Sequence, residues 1–323
     1  MLCLALVLVL LLHVGLGSTN FVTPWEVVKE LVRGPMANPT RQNAVVWAIR
    51  LVRALACVMV GGILGAVGSA FQALFRNPLA EPYVAGVSSG AAVGGVIVLV
   101  LGWSGYFFGL SMMLAGSVTG LASLGLVYGL ARRRGAVDVT TLLLAGVVIG
   151  TMLSAVTTFV LLMSGRDTNA VLRWLLGSMA EASWQQVGVM FVVMVAGSIL
   201  LLLQTRSLNA FAVGEDTARR LGVDTSHLKA IVLIAGTAMV AAAVASVGII
   251  GFLGLVAPHI ARRLVGVDWR WSLLGSLVLG SALMLLADLV AQRCGGQVGE
   301  LPVGVVTAIV GAPMLLWLLR KTG

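Results

Sequence analysis

Apolar runs of roughly 18 or more residues, each long enough to cross a ~30 Å hydrocarbon layer as a helix, recur from one end of this chain to the other. A soluble fold has no place for so many. The chain is 59% hydrophobic and 10% charged over 323 residues, with a mean hydropathy of +1.05, whereas soluble domains carry about 25% charged residues. Glycine supplies 40 positions, which suits helices packed closely in lipid. The expected fold class is all-α: a polytopic membrane protein whose residues 1–323 form one transmembrane domain. No hydrophilic stretch is long enough to fold by itself.

Ten spans are expected, at 2–17, 46–74, 83–102, 107–130, 141–163, 187–204, 228–247, 249–263, 272–292 and 301–319. The eighth is short for a full crossing. The first run, MLCLALVLVLLLHVGLGS, lacks a basic leader and ends in a poor cleavage sequence, so it reads as a retained helix. The cysteines, Cys3, Cys57 and Cys294, are too few and scattered for a disulfide framework or a metal site.

An even span count puts both termini on one side of the membrane. That side collects 13 Lys and Arg against 8 opposite, so the positive-inside rule makes it cytoplasmic. The outer segments hold Lys29, Arg33, Arg41, Arg50, Arg53, Arg166, Arg173 and Arg293 against five acids, Glu26, Glu30, Asp167, Glu181 and Glu300. This outer excess is either ordinary solvation or a docking surface for an acidic partner. Trp47, Trp103, Trp174, Trp269, Trp271 and Trp317 fall near span ends, where an interfacial belt belongs.

The stretch FRNPLAEP, 75–82, interrupts the apolar pattern. From Arg53 to Phe75 the chain makes about 33 Å of helix, one crossing, so the stretch is cytoplasmic. Pro78 ends the second span and Pro82 suits the first turn of the third. On these grounds the stretch is a connecting turn.

No G-x-x-x-x-G-K-[ST] occurs, so the chain carries no nucleotide-driven motor of its own. His13, His227 and His259 are far apart and suggest neither haem nor metal; no cofactor and no nucleic-acid partner are expected. Asp288, in LLADLVAQR, is the best candidate for a buried charge near mid-membrane. It reads either as a snorkelling or ion-paired structural acid or as a proton relay.

The segment TRSLNAFAVGEDTARRLGVDTSHLK, Thr205 to Lys229, is too polar to span. Ser207 can cap a short helix that stops at Gly214. Glu215 and Asp216 then open a second helix, which Arg219 and Arg220 close before Gly222, in accord with the helix dipole. Asp224 can cap the next span. The two short helices show Leu208, Phe211, Leu221 and Val223, either as a cap folded on the protein itself or as a docking lug for a cytoplasmic partner. In the fifth span Gly146, Gly150, Ser154 and Thr157 or Thr158 share a helical face. Such a stripe means close packing or the lining of a wide path.

Seven stretches, in order from about residue 20 to 319, together resemble one family. They are IRLVRALACVMVGGILGAVGSAFQALFRNPLAEPYVAGVSSGAAVG, TTLLLAGVVIGTMLSAVTTFVLLMSG, VLRWLLGSMAEASW, LNAFAVGEDTARRLGVD, GIIGFLGLVAPHIARRLVG, LLADLVAQ and ELPVGVVTAIVGAP. The family is the FecCD-type permease subunits of bacterial ABC importers for ferric siderophores, haem or cobalamin. Its cobalamin branch is especially similar around FRNPLAEP, a stretch the siderophore and haem permeases share, and the larger share of the family makes an iron chelate the expected cargo.

The resemblance implies a type II ABC importer permease in the bacterial inner membrane, surrounded by lipid, which performs no covalent chemistry. It implies a homodimer with the cargo moving between the copies, two cytoplasmic ATPase subunits and a periplasmic substrate-binding protein. It assigns binding-protein docking to Arg50, Arg53 and, more weakly, Arg293. It assigns a cytoplasmic gate to Asn77 and Leu79 with Thr140 and Thr141. Path lining falls to Gly146, Gly150, Ser154, Thr157 and Thr158. ATPase coupling falls to the 205–227 loop, with Leu208, Phe211, Gly214, Glu215, Arg219, Arg220 and Leu221. One departure is RLVR where the family has RLPR, which bears on how the second span starts.

Overall fold

A computed structural model describes all residues except 18–21, 37–39, 84–85, 134–135, 164–167, 295–298 and 323. Fourteen helices make up almost all of the described chain. They are α1 (Leu2–Leu16), α2 (Pro24–Arg33), α3 (Arg41–Phe75), α4 (Val87–Leu101), α5 (Ser111–Ala131), α6 (Val139–Met163), α7 (Thr168–Leu175), α8 (Trp184–Leu203), α9 (Thr205–Val213), α10 (Glu215–Arg220), α11 (Thr225–Val247), α12 (Leu253–Val265), α13 (Trp269–Cys294) and α14 (Val303–Thr322). A two-stranded antiparallel ribbon, β1 (Arg132–Arg133) and β2 (Ala136–Val137), joins α5 to α6. Six of the helices are long and apolar enough to cross a membrane, and three shorter apolar helices accompany them.

Each expected span meets a helix, including the short eighth at α12. Two short helices between the apolar ones were not expected. The first, α2, holds a capping box in which Thr23 and Glu26 bond each other's backbone; the second is α7. Both are too short and too polar on one side to stand out in a search for apolar runs.

The centre of the bundle is α3. Its most apolar window is 89% buried, and it packs along α13. A Cβ on Gly61 would strike the carbonyl of Gly280, and one on Gly65 would strike that of Ser276. Those glycines set how closely the two helices cross, as small residues do wherever backbones touch in lipid. The start of α3 contains a π-helical turn, Val45–Arg50, in which Leu51 N–H bonds Val46 O. With Val52 where the family has proline, the helix runs unbroken through this point.

Two local expectations change. Pro82 is not in the first turn of α4, which starts at Val87 after Gly86 in the left-handed region, φ 70°. Instead the Pro82 ring lies against Gly254, where a Cβ would collide with it. Ser207 is not a helix cap either, because α9 already begins at Thr205.

Candidate functional site

Along α6, Gly146, Val147, Gly150, Thr151 and Ser154 line an open concavity of about 400 Å³, completed by Tyr83, Gly86 and Ser89. The missing side chains at 146 and 150 make the hollow. Gly86 closes its wall so tightly that a Cβ there would meet Gly146 O and Ser123 Oγ, each at 3.2 Å. Ser123 Oγ in turn donates to Gly86 O at 3.0 Å. Ser89 and Ser154 face each other at 3.2 Å. The expected stripe therefore holds for Gly146, Gly150 and Ser154. Thr157 is buried and Thr158 exposed. Both hydroxyls donate to the preceding helical turn, to Leu153 O and Ser154 O, and neither lines the hollow. Tyr83, Gly86 and Ser89 were missed, because nothing in the sequence says that the start of α4 lies against α6; Val147 and Thr151, each next to a glycine of the stripe, were missed as well.

At its C-terminal end α3 stops on Arg76 in a left-handed conformation, φ 48°. Asn77 N–H bonds Gln72 O, and its side-chain oxygen accepts from Leu79 N–H at 2.9 Å. Asn77 is exposed and Leu79 is 39% exposed. The rest of the turn is bolted to the segment before α12. Glu81 accepts from Phe252 N–H at 2.6 Å, and Tyr83 O–H donates to Ile250 O at 2.7 Å. Burial pushes the Glu81 carboxyl above its ordinary range, against the Phe252 bond. Across the way Asp138 caps α6, accepting from Thr141 N–H at 2.6 Å and Thr141 O–H at 2.7 Å, while Thr140 is exposed. A cleft of about 540 Å³ joins Arg76, Val137 and Asp138 to Gly214, Glu215, Asp216, Thr217 and Arg219. It thus brings the neighbours of both expected gate pairs to the coupling loop. The four gate residues themselves are not part of its lining.

In the coupling loop Asp224 caps α11 through Ser226 and His227. Leu208 and Phe211, which the sequence left open between a docking face and a cap folded on the protein itself, are fully buried. Their apolar side chains fasten the loop to the bundle, as burying such groups favours. Leu221 is 69% exposed, and Arg219 and Arg220 face outward. Glu215 accepts from Lys229 at 2.8 and 2.9 Å and from Arg219 at 2.7 Å. Burial raises the Glu215 carboxyl, but the Lys229 bond and charge outweigh it, and the carboxyl sits below the usual range. A depressed carboxyl stabilises the fold above its unfolded pKa and loses that contribution as pH falls through the folded one. The pair is therefore intact at neutral pH and weakens only in acid.

Two of the arginines expected at the docking face are largely enclosed within the chain: Arg50 is 5% exposed and Arg53 8%. Arg50 donates to the carbonyls of Val14, Gly15 and Val22, fixing the end of α1 onto α3. Arg53 holds Asp288 with two parallel bonds of 2.8 and 2.9 Å and Glu300 with one of 2.6 Å. His13 and Gln292 also donate to Asp288, at 2.8 and 2.7 Å. A buried charge needs this many partners, and the sequence could not show that α1 and α13 would supply them. Asp288 is the ion-paired structural acid of the two readings above. His13, Cys57 and Asp288 place ligand atoms within 4.8 Å of one another. Yet both carboxylate oxygens are already held by Arg53, whose positive charge opposes a cation there. Arg293 is exposed and donates to Leu16 O at 2.6 Å.

The FecCD transport family matches residues 4–321. The cobalamin import system permease BtuC of Halobacterium salinarum is 38% identical over 92% of this chain and 79% of its own length. The vitamin B12 import permease BtuC of Salmonella paratyphi A is 39% identical over 87% and 85%. A chain of an ABC transporter assigned to the metal-chelate type, in an inward-facing conformation, superposes with a TM-score of 0.85 at 30% identity, covering 99% of this chain and 97% of its own. PsaBC of Streptococcus pneumoniae, at 16% identity and a TM-score of 0.56, shares the fold. The polytopic bundle is thus that of a known transport subunit: the chain belongs to the FecCD transport family and is an ABC importer permease with the type II fold.

Proposed function

We propose that the chain is one half of a homodimeric permease in the bacterial inner membrane, with both termini cytoplasmic. It imports cobalamin or an iron chelate, a ferric siderophore or haem, between its two copies. The observation that carries this reading is the concavity on α6. Val147 and Thr151 line it and are exposed, as are Val148 and Met152 beside them. One copy therefore provides half of a wide path, with small and hydroxylic groups facing it. A second copy would complete the wall. Two cytoplasmic ATPase subunits would dock against the exposed part of the coupling loop, Asp216, Arg219, Arg220 and Leu221, and Asn77, Leu79, Thr140 and Thr141 would close the inner end.

A periplasmic binding protein would deliver the cargo to the outer face, where Lys29, Arg33, Arg173 and Arg293 are exposed. An acidic partner reaching Arg53 would have to compete with Glu300, the more exposed of its two carboxylates. Opposite charges at such a face chiefly set encounter rate and register. Between cargoes, the two relatives named for cobalamin or vitamin B12 import favour cobalamin.

The test is reconstitution in liposomes with a cognate ATPase and binding protein, offering cobalamin, haem and several ferric siderophores. Uptake of one of them that requires ATP is expected. Uptake that persists without ATP and follows a proton gradient would overturn the reading.

A further inference from the structure

Lys229 opens the first turns of α11 and is 3% exposed. Its ammonium has three N–H groups, and each has a partner: Val137 O at 2.7 Å and the two Glu215 oxygens at 2.8 and 2.9 Å. One side chain thus joins three elements. They are α11, the coupling helix α10 that begins at Glu215, and β2, whose end lies one residue before the Asp138 cap of α6.

A second tie runs to the other side of the cleft. The Phe211 ring of α9 is fully buried with the Arg76 guanidinium and the Lys229 ammonium each 5.6 Å from its centre. Arg76 ends α3 and precedes Asn77. Cations at such distances are drawn to an aromatic face. The coupling loop is therefore held to the chain on both sides of the expected gate, through different residues.

Packing alone does not call for this arrangement. Buried ion pairs can be replaced by apolar side chains with little loss of stability, or with a gain. What apolar contacts cannot give is a fixed direction and length between three backbones. The Arg219–Glu215 bond of 2.7 Å keeps the carboxylate aimed at Lys229.

We propose that Lys229 is the positioning residue that couples ATPase movement to the gate, transmitting displacement of α10 through Glu215 to Val137 and the start of α6. The inference rests on the docking of an ATPase at the coupling loop. It says how that site drives the path, and it makes Phe211 with Arg76 the parallel connection to the 76–79 turn.

The experiment uses the full reconstituted transporter and the Lys229→Met and Lys229→Arg variants. Three quantities are read: ATPase capture by the permease, ATP hydrolysis, and cargo moved per ATP. Lys229→Met should keep capture and hydrolysis within about twofold, while cargo per ATP falls about tenfold, a typical coupling between sites. Lys229→Arg, which can still bond both partners, should recover most of it. Unchanged cargo per ATP in Lys229→Met overturns the proposal. Absence of ATPase capture by the unaltered protein instead overturns the docking reading.

A second measurement does not depend on that variant assembling well. Spin labels are placed at Thr140→Cys and Thr217→Cys, with the exposed Cys3 and Cys294 replaced by serine. The distance between the labels should stay constant through the ATP cycle while each moves relative to a label on α8. Independent movement of the two labelled sites would show that no lever joins them.

Discussion

The helices α3 and α6 are almost indistinguishable by composition, with window hydropathies of 2.0 and 2.1, yet those windows are 89% and 22% buried. Hydropathy places both in the bilayer and says nothing about their neighbours. The difference lies in what interrupts the grease. In α3, Gly61, Gly65 and Gly68 face backbone, and Arg53 finds its carboxylates inside the bundle. In α6, Gly146 and Gly150 face a hollow that Ser154 also lines. Small residues thus serve contact in one helix and clearance in the other. In a membrane the apolar effect does not distinguish lipid from protein, so close packing and polar partners must decide.

This contrast breaks most severely at Arg53. Arg53→Met leaves Asp288 buried with only neutral donors and His13 around it, which costs about 3–5 kcal/mol. Thermal unfolding in detergent should show the loss, and Arg53→Met combined with Asp288→Leu should recover much of it. Equal stabilities for the single and double variants would mean that the pair does not hold α3 to α13. Next comes Gly65→Ala, where a methyl group must displace Ser276 backbone; about 1–3 kcal/mol is expected for such overpacking. If the melting point does not move, the two helices do not cross as closely as described.

The effects on α6 are smaller. Asp138→Ala removes the cap at Thr141 and costs about 1 kcal/mol, and amide exchange in the first turn of α6 should report it as local fraying. No faster exchange there would remove Asp138 from the cap. Gly150→Ala should change stability by less than about 0.5 kcal/mol, as at uncrowded positions generally. A Cβ there meets Ser89 Oγ at 3.6 Å and Gly86 Cα at 3.8 Å, both ordinary contact distances. A loss as large as that for Gly65→Ala would mean that the α6 stripe is a packing face and not a lining.

Much was legible because it is local. Apolar runs marked the spans, the Glu215 and Arg219–Arg220 pattern marked α10, and Asp224 marked the start of α11. The stripe at Gly146, Gly150 and Ser154 was legible because helical spacing places those residues on one face. What failed needed a second element. Arg50 and Arg53 look like surface charges until α1 and α13 wrap them. Leu208 and Phe211 fit a docking face or a cap on the protein itself until α9 turns them inward. Pro82 looks like a helix start until it meets Gly254, 172 residues away. The amphipathic α2 and α7 were passed over because their signal is one-sided and short.

The sequence by itself determined that this chain lives in a membrane, which of its segments are apolar helices, where its polar loop lies and to which family it belongs. Those properties follow from composition and from order along the chain, which burial of apolar groups reads directly. Only the tertiary structure decided which arginines are available, which glycines make contact and which make space, and that Lys229 ties α10 to the start of α6. Such outcomes depend on distances between residues far apart in sequence. In lipid those distances are set by backbone approach and by the pairing of buried charges, neither of which a single helix can specify alone.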